Sequence, residues 1–207
     1  RNHKKTLFIN KFVLESNMDR LKGKIALITG AAKGLGAAIA KNFTNEGAVV
    51  ILCDININQA SERAKELGGT AYYIDVSNSK SVKDVFTKVK SDFKQLDILV
   101  NNAGINGFEN RQDLIDERIK VNNLQIKEFS KSEKISTHFD VTVNMSDDEW
   151  HKMISVHLNG TFFCTREALT IMNNQESASI INMGSVLGTT GGPSSPHYSA
   201  AKAAILG

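Results

Sequence analysis

The sequence predicts an α/β domain, a doubly wound parallel sheet covered by helices on both faces. Three observations carry that expectation. Short apolar runs alternate with helical stretches from Lys24 onward. The apolar runs are continuous, as in strands buried on both sides. Glycine closes the first two helical stretches, and right-handed crossovers between parallel strands then wind the sheet in both directions.

The elements follow in order. "KIALIT" (Lys24 to Thr29) reads as the first strand, and "GLGAAIAKNFTNEG" as a helix closed by Gly47. "AVVILCD" is a second buried strand, and "NQASERAKELG" a second helix stopped by Gly68. "TAYYIDV" makes a third strand and "SKSVKDVFTKVKSDF" a third helix. "LDILVNNAG" is a fourth strand running into a loop. The segment at about 105–145 then breaks the rhythm, being long, polar and rich in Asn and Lys. Structureless connections of that length are uncommon in compact domains, so an insertion with some structure or mobility is expected. "SDDEW" restarts the pattern with Ser146 as N-cap and Glu149 three residues on. A long helix should run through "HKMISVHLNGTFFCTREALTIM"; "ASIINMGS" is the next strand, "VLGTTGGPSSP" a loop and "HYSAAKAAILG" the start of another helix.

Composition narrows the function classes. The 207 residues suffice for one domain, and 41% are hydrophobic. A net charge of +3 gives no sign of a nucleic-acid or membrane partner. No apolar run approaches the roughly 20 residues of a membrane helix. Cys53 and Cys164 lie far apart in apolar runs and read as buried free thiols; no CxxC or His-rich cluster suggests a metal. Residues 1–17 are basic, with no acid before Glu15, and read as an extension: upstream sequence before a start at Met18, or a transit-like segment. The domain proper is expected over 18–207, in the cytoplasm, or in an organelle if the extension is a transit segment.

"TGAAKGLG" (Thr29 to Gly36) joins the first strand to the first helix. Gly30, Gly34 and Gly36 let the backbone turn tightly and approach a phosphate, and Lys33 and Leu35 complete the loop. The helix N-terminus offers free N–H groups to a pyrophosphate. Asp54, at the tip of the second strand, can accept from both ribose hydroxyls and repel a 2′-phosphate. NAD is therefore favoured, with NADP the alternative that Lys33 supports. Asp75 and Val76 end the third strand; Asp75 either bonds the adenine amino group or caps the strand. Asn102, Ala103 and Gly104 form a tight wall beside the cofactor, a hydrogen-bonded turn, or both.

Tyr198 and Lys202 stand four apart, on one helix face. An ammonium one turn from a phenol favours the phenolate, the form that takes up a proton. Ser185 follows the fifth strand and can donate to a carbonyl oxygen. The chemistry is carbonyl reduction by hydride with Tyr198 protonating oxygen, or the reverse oxidation of an alcohol. A YxxxK spacing alone carries little information; its position after a Gly-Ser strand end in a nucleotide-loop fold carries much.

Taken together, "TGAAKGLG", "NNAG", "INMGS" and "YSAAK" resemble the short-chain dehydrogenase/reductase family, from about Leu21 onward. The look of the chain is nearest the 3-oxoacyl-(acyl carrier protein) reductase-like branch. The resemblance implies a Rossmann-type domain, catalytic Ser185, Tyr198 and Lys202, and a Lys202 that also holds the nicotinamide ribose. It implies a small carbonyl or alcohol substrate and a homo-oligomer, tetramer or dimer. Two departures stand out. Where the family carries a catalytic asparagine in N-L-x-G, this chain has His157, and Asn159 two residues on should point elsewhere. His157 either acts through its backbone carbonyl, joins a proton relay directly, or is a packed helix histidine. The family also continues well past the YxxxK helix, so a chain truncated there is expected, with an apolar surface uncovered. Two other readings stay open: a catalytically silent nucleotide-binding sensor or scaffold, and a sugar-nucleotide epimerase or dehydratase, whose usual glycine spacing differs.

Overall fold

The computed structural model describes residues 19–109, 111–131, 134–192 and 195–207. The extension at 1–17, with Met18, lies outside the described residues. The strands are β1 (Ile25–Thr29), β2 (Val49–Asp54), β3 (Thr70–Tyr73), β4 (Ile98–Asn101) and β5 (Ser179–Asn182). They form one parallel sheet in the order β3-β2-β1-β4-β5. The chain steps outward from β1 to β3, then returns to the far side of β1. That reversal opens a crevice at the C-terminal ends of β1 and β4, the usual place for a ligand in such sheets.

Side chains alternate across the sheet, and each set meets its own helical layer. On one face Ala26, Ile28, Val50, Leu52, Ile98 and Val100 pack with Ala40 of α1 (Gly34–Asn45) and Ala64 of α2 (Ile57–Leu67). On the other, Leu27, Ile51, Cys53 and Leu99 pack with Val82, Phe86 and Val89 of α3 (Ser79–Phe93). Each large aliphatic side chain buried this way contributes about 1.5–3 kcal/mol. Cys53 and Cys164 are both buried free thiols in this second layer. Burial pushes both thiols up, Cys164 to about 12, so both stay protonated.

Local sequence sets the helix ends. Asn56 accepts from the Gln59 N–H, and Asn78 from those of Lys80 and Ser81. Gly68 stops α2 in the left-handed region, at φ +65°. The third strand is shorter than the sequence suggests. It ends at Tyr73, and Asp75 and Val76 fall in the turn beyond it. Asp75 shapes that turn by accepting from the Ser77 N–H and hydroxyl, which draws the chain off the sheet.

The insertion is ordered by a helix, α4 (Gln112–Ser130), and one short turn of helix, α5 (Val141–Asn144). Glu128 accepts from the backbone and hydroxyls of Ser136 and Thr137, tying α4 to the returning chain. The next helix starts where Ser146 and Glu149 form a capping box. It is three pieces end to end: α6 (Asp147–Ile154), a π-helical turn (Ser155–Asn159) and α7 (Gly160–Met172). The expected continuous helix thus carries a wider turn at His157, the kind of irregularity often found at functional sites. The expected loop after β5 contains a short helix, α8 (Leu187–Thr190), before α9 (Pro196–Leu206). No helix among the described residues is long and apolar enough to cross a membrane.

Candidate active site

The crevice begins with Thr29, the last residue of β1. Its hydroxyl donates to the Val100 carbonyl and accepts from the N–H groups of Asn102 and Ala103. The Asn102 amide returns the link, donating to the carbonyls of Thr29 (2.9 Å) and Gly30 (3.1 Å). These bonds lock the "NNAG" turn onto the glycine loop. Thr29 is therefore a site residue that sequence reasoning passed over, although it opens the loop motif. A hydroxyl residue at a strand end facing an amide turn is the signal that could have found it.

The loop demands glycine for two reasons. Gly30 and Gly34 have φ of +65° and +58°. A Cβ on Gly36 would fall 2.2 Å from the Gly30 carbonyl oxygen and 2.6 Å from Asn102 Nδ2. No side chain caps the start of α1, where Lys33 is the N-cap residue. The first N–H groups of that helix thus face the crevice with their partial positive charge, as a pyrophosphate requires. Lys33 and Leu35 are exposed.

Asp54 stands at the tip of β2. One carboxylate oxygen accepts from the Ala32 N–H and the other from the Asn56 N–H, both at 2.9 Å. The side chain therefore braces the glycine loop as well as presenting charge at the β2 tip. Asp75 Oδ1 accepts from the Ser77 N–H and hydroxyl in the turn beyond β3. Val76 is nearly buried and abuts Gly160, where a Cβ would lie 2.9 Å from its Cγ2. The residues present fit a dinucleotide along the crevice.

The polar cluster lies at the ends of β4 and β5. Lys202, buried, donates to the Met183 carbonyl just beyond β5, and its Nζ lies 5.8 Å from the centre of the Tyr198 ring. Burial lowers the basicity of its ammonium. His157 meets Tyr198 edge to face, ring centres 5.3 Å apart. Its Nε2 lies 3.1 Å from the Ile105 nitrogen and 2.8 Å from the Ile105 oxygen, so its tautomer decides which bond is made. Gly104 is obligatory beside it, since a Cβ there would sit 2.5 Å from the ring. Burial holds the His157 imidazole below its ordinary range, opposed by the Ile105 backbone bond; nearby Lys202 adds to the lowering. Ser185 follows β5, its hydroxyl accepting from the Leu187 N–H at the start of α8. The structure thus brings Tyr198, Lys202 and His157 together, while Asn159 is only half-buried on the widened turn.

The chain is similar to known proteins over most of its length. The chain is 33% identical to a 3-oxoacyl-(acyl-carrier-protein) reductase FabG of Thermotoga maritima, an alignment covering 91% of this chain and 66% of the relative. It is 34% identical to an NADP-dependent (R)-specific alcohol dehydrogenase of Lentilactobacillus kefiri, covering 90% of this chain and 64% of the relative. The chain therefore spans about two-thirds of the length of these curated relatives. A solved short chain dehydrogenase from Mycobacterium smegmatis superposes with a TM-score of 0.71 at 29% identity, covering 91% of this chain and 68% of that one. The family model for short chain dehydrogenase matches residues 24–129 and 135–207, and the chain belongs to that family.

Proposed function

We propose that this protein is an NAD(P)-dependent oxidoreductase interconverting a secondary alcohol and its ketone. The observation that carries the reading is Tyr198 beside a buried Lys202 at the end of β5, with His157 linking the Tyr198 ring to Gly104 of the turn after β4. When bound, the nicotinamide supplies or takes the hydride. Tyr198 gives its phenolic proton to the substrate oxygen in reduction and takes it back in oxidation. Ser185 donates a hydrogen bond to the same oxygen and orients it. Lys202 places a cation against the Tyr198 ring; a hydroxyl of the nicotinamide ribose is its other partner by family likeness. His157 buttresses the Tyr198 ring and pins the Ile105 backbone. Its neutral imidazole is suited to passing a proton onward.

The Asp54 carboxylate favours NAD over NADP. The NADP-dependent relative is the reason to test both. A homo-oligomer in the cytoplasm, tetramer or dimer, is the assembly this reading carries. The test is turnover of NADH and NADPH with a panel of simple ketones, sterol ketones and β-ketoacyl thioesters. Tyr198→Phe should lower kcat by about 10²–10⁴-fold with cofactor affinity unchanged. Unimpaired turnover in that variant defeats the proposal. Cofactor binding with no turnover of any carbonyl favours the sensor reading instead.

A further inference from the structure

The insertion borders a partly open cavity against the helix that carries Tyr198. Phe108, Leu114, Val121 and Val141 give it apolar walls, Glu117, Asn144 and Glu149 polar ones, and its volume is about 170 Å³. Leu114, Arg118 and Val121 recur at four and three residues along α4, so one face of that helix looks into the cavity. Arg118 lies over the Phe108 ring at 5.1 Å, its cation covering an aromatic wall. The walls are fixed from both ends. Gln125 donates to the Thr137 carbonyl and Glu128 gathers Ser136 and Thr137 at the far end of α4. At the near end Glu149, another lining residue, is held by the Ser146 capping box.

His197 supplies the inner polar wall. It immediately precedes Tyr198, is 7% exposed, and its Nδ1 is buried without a hydrogen-bond partner. Gly107 turns against it at φ +84°, and a Cβ there would lie 3.0 Å from His197 Nε2. Two residues back, Ile105 is pinned by His157. One short stretch of chain therefore joins the Tyr198 cluster to the cavity.

We infer that the insertion forms the subsite for the apolar substituent of the carbonyl substrate, a group about the size of one aromatic ring. This rests on the oxidoreductase reading for its substrate class. A dry apolar cavity of roughly 150 Å³ accepts a benzene ring, and long chains exceed it. The subsite therefore selects aryl or short branched ketones over extended acyl chains.

Two measurements on the full-length protein test this. Ligand-observed NMR with toluene alone should detect binding to the wild type, and Val121→Trp, which fills the cavity, should abolish it. In turnover, V121W should raise KM for phenyl methyl ketone at least tenfold relative to that for butanone, with cofactor affinity unchanged. Val121→Phe, a smaller intrusion, should move both readouts the same way. Undiminished toluene binding in V121W, or an equal change in KM for both ketones, overturns the subsite. Toluene binding lost in V121W, with no ketone turned over by the wild type, overturns the substrate assignment. It leaves a ring-sized binding site, so failure of the subsite and failure of the oxidoreductase reading are told apart.

Discussion

Asp54 holds two backbone N–H groups, Ala32 in the glycine loop and Asn56 beyond β2, and also carries the charge expected to choose the cofactor. Those duties separate by substitution. Asp54→Ala removes both acceptors with the charge, so the loop loses its brace and both cofactors should weaken. Asp54→Asn keeps one amide oxygen to accept from Ala32 or Asn56 while removing the repulsion toward a 2′-phosphate. Its NADPH affinity should rise about tenfold relative to NADH, read from Kd by nicotinamide fluorescence. An unchanged ratio in D54N means that the charge does not select. Hydrogen bonds to a charged acceptor contribute about 1.5–3 kcal/mol, so the bracing function is of the same order as the discrimination.

The helix that runs from Ser146 is the element on which site and insertion meet. Its start was legible because a capping box is a local signal: Ser146 accepts from the Glu149 N–H, and Glu149 accepts from the Ser146 N–H. Ser146→Ala should cost about 1 kcal/mol, read as a lower urea midpoint with an unchanged slope. A drop confined to activity would place Ser146 in the chemistry and not in the fold. The π turn eleven residues on was not legible. Residues 155–159 read as ordinary helix, and the wider turn arises where a buried imidazole must reach the Ile105 backbone across the crevice. The same division runs through the sheet. The β1, β2 and β4 runs announce themselves because both faces of each strand are buried. The end of β3 does not, because the Asp75 turn competes with strand pairing through side-chain bonds that hydropathy does not register. The cavity under α4 was invisible for a related reason: its lining residues are spread from 107 to 197 and only the fold assembles them.

For the whole molecule, pH is the variable that reports on the buried cluster. His157 and His197 are both nearly buried, and in each the Nδ1 lacks a partner. Burial lowers the proton affinity of both. The groups facing His157 divide: Lys202 and His197 oppose its protonation, while Glu109 and the Ile105 backbone favour it. Glu149 faces His197 and favours the charged ring, without overcoming burial. The unfolded chain binds protons at these rings near pH 6.5, the folded chain only lower. Between those limits the unfolded state holds more protons, so stability is full above about pH 6.5 and falls as pH drops toward the folded values. Each histidine withheld from protonation adds at most about 1.4 kcal/mol per pH unit to that slope. The carboxylates held low by their partners, Glu46 by Arg20 and Asp113 by Arg111, act only in a more acidic range. Urea midpoints measured from pH 8 to pH 5 should therefore decline for the wild type and decline less steeply for His157→Asn and for His197→Asn. Parallel curves in all three would mean that these rings titrate freely in the folded state, and that the cluster around Tyr198 is open to water rather than closed by the insertion.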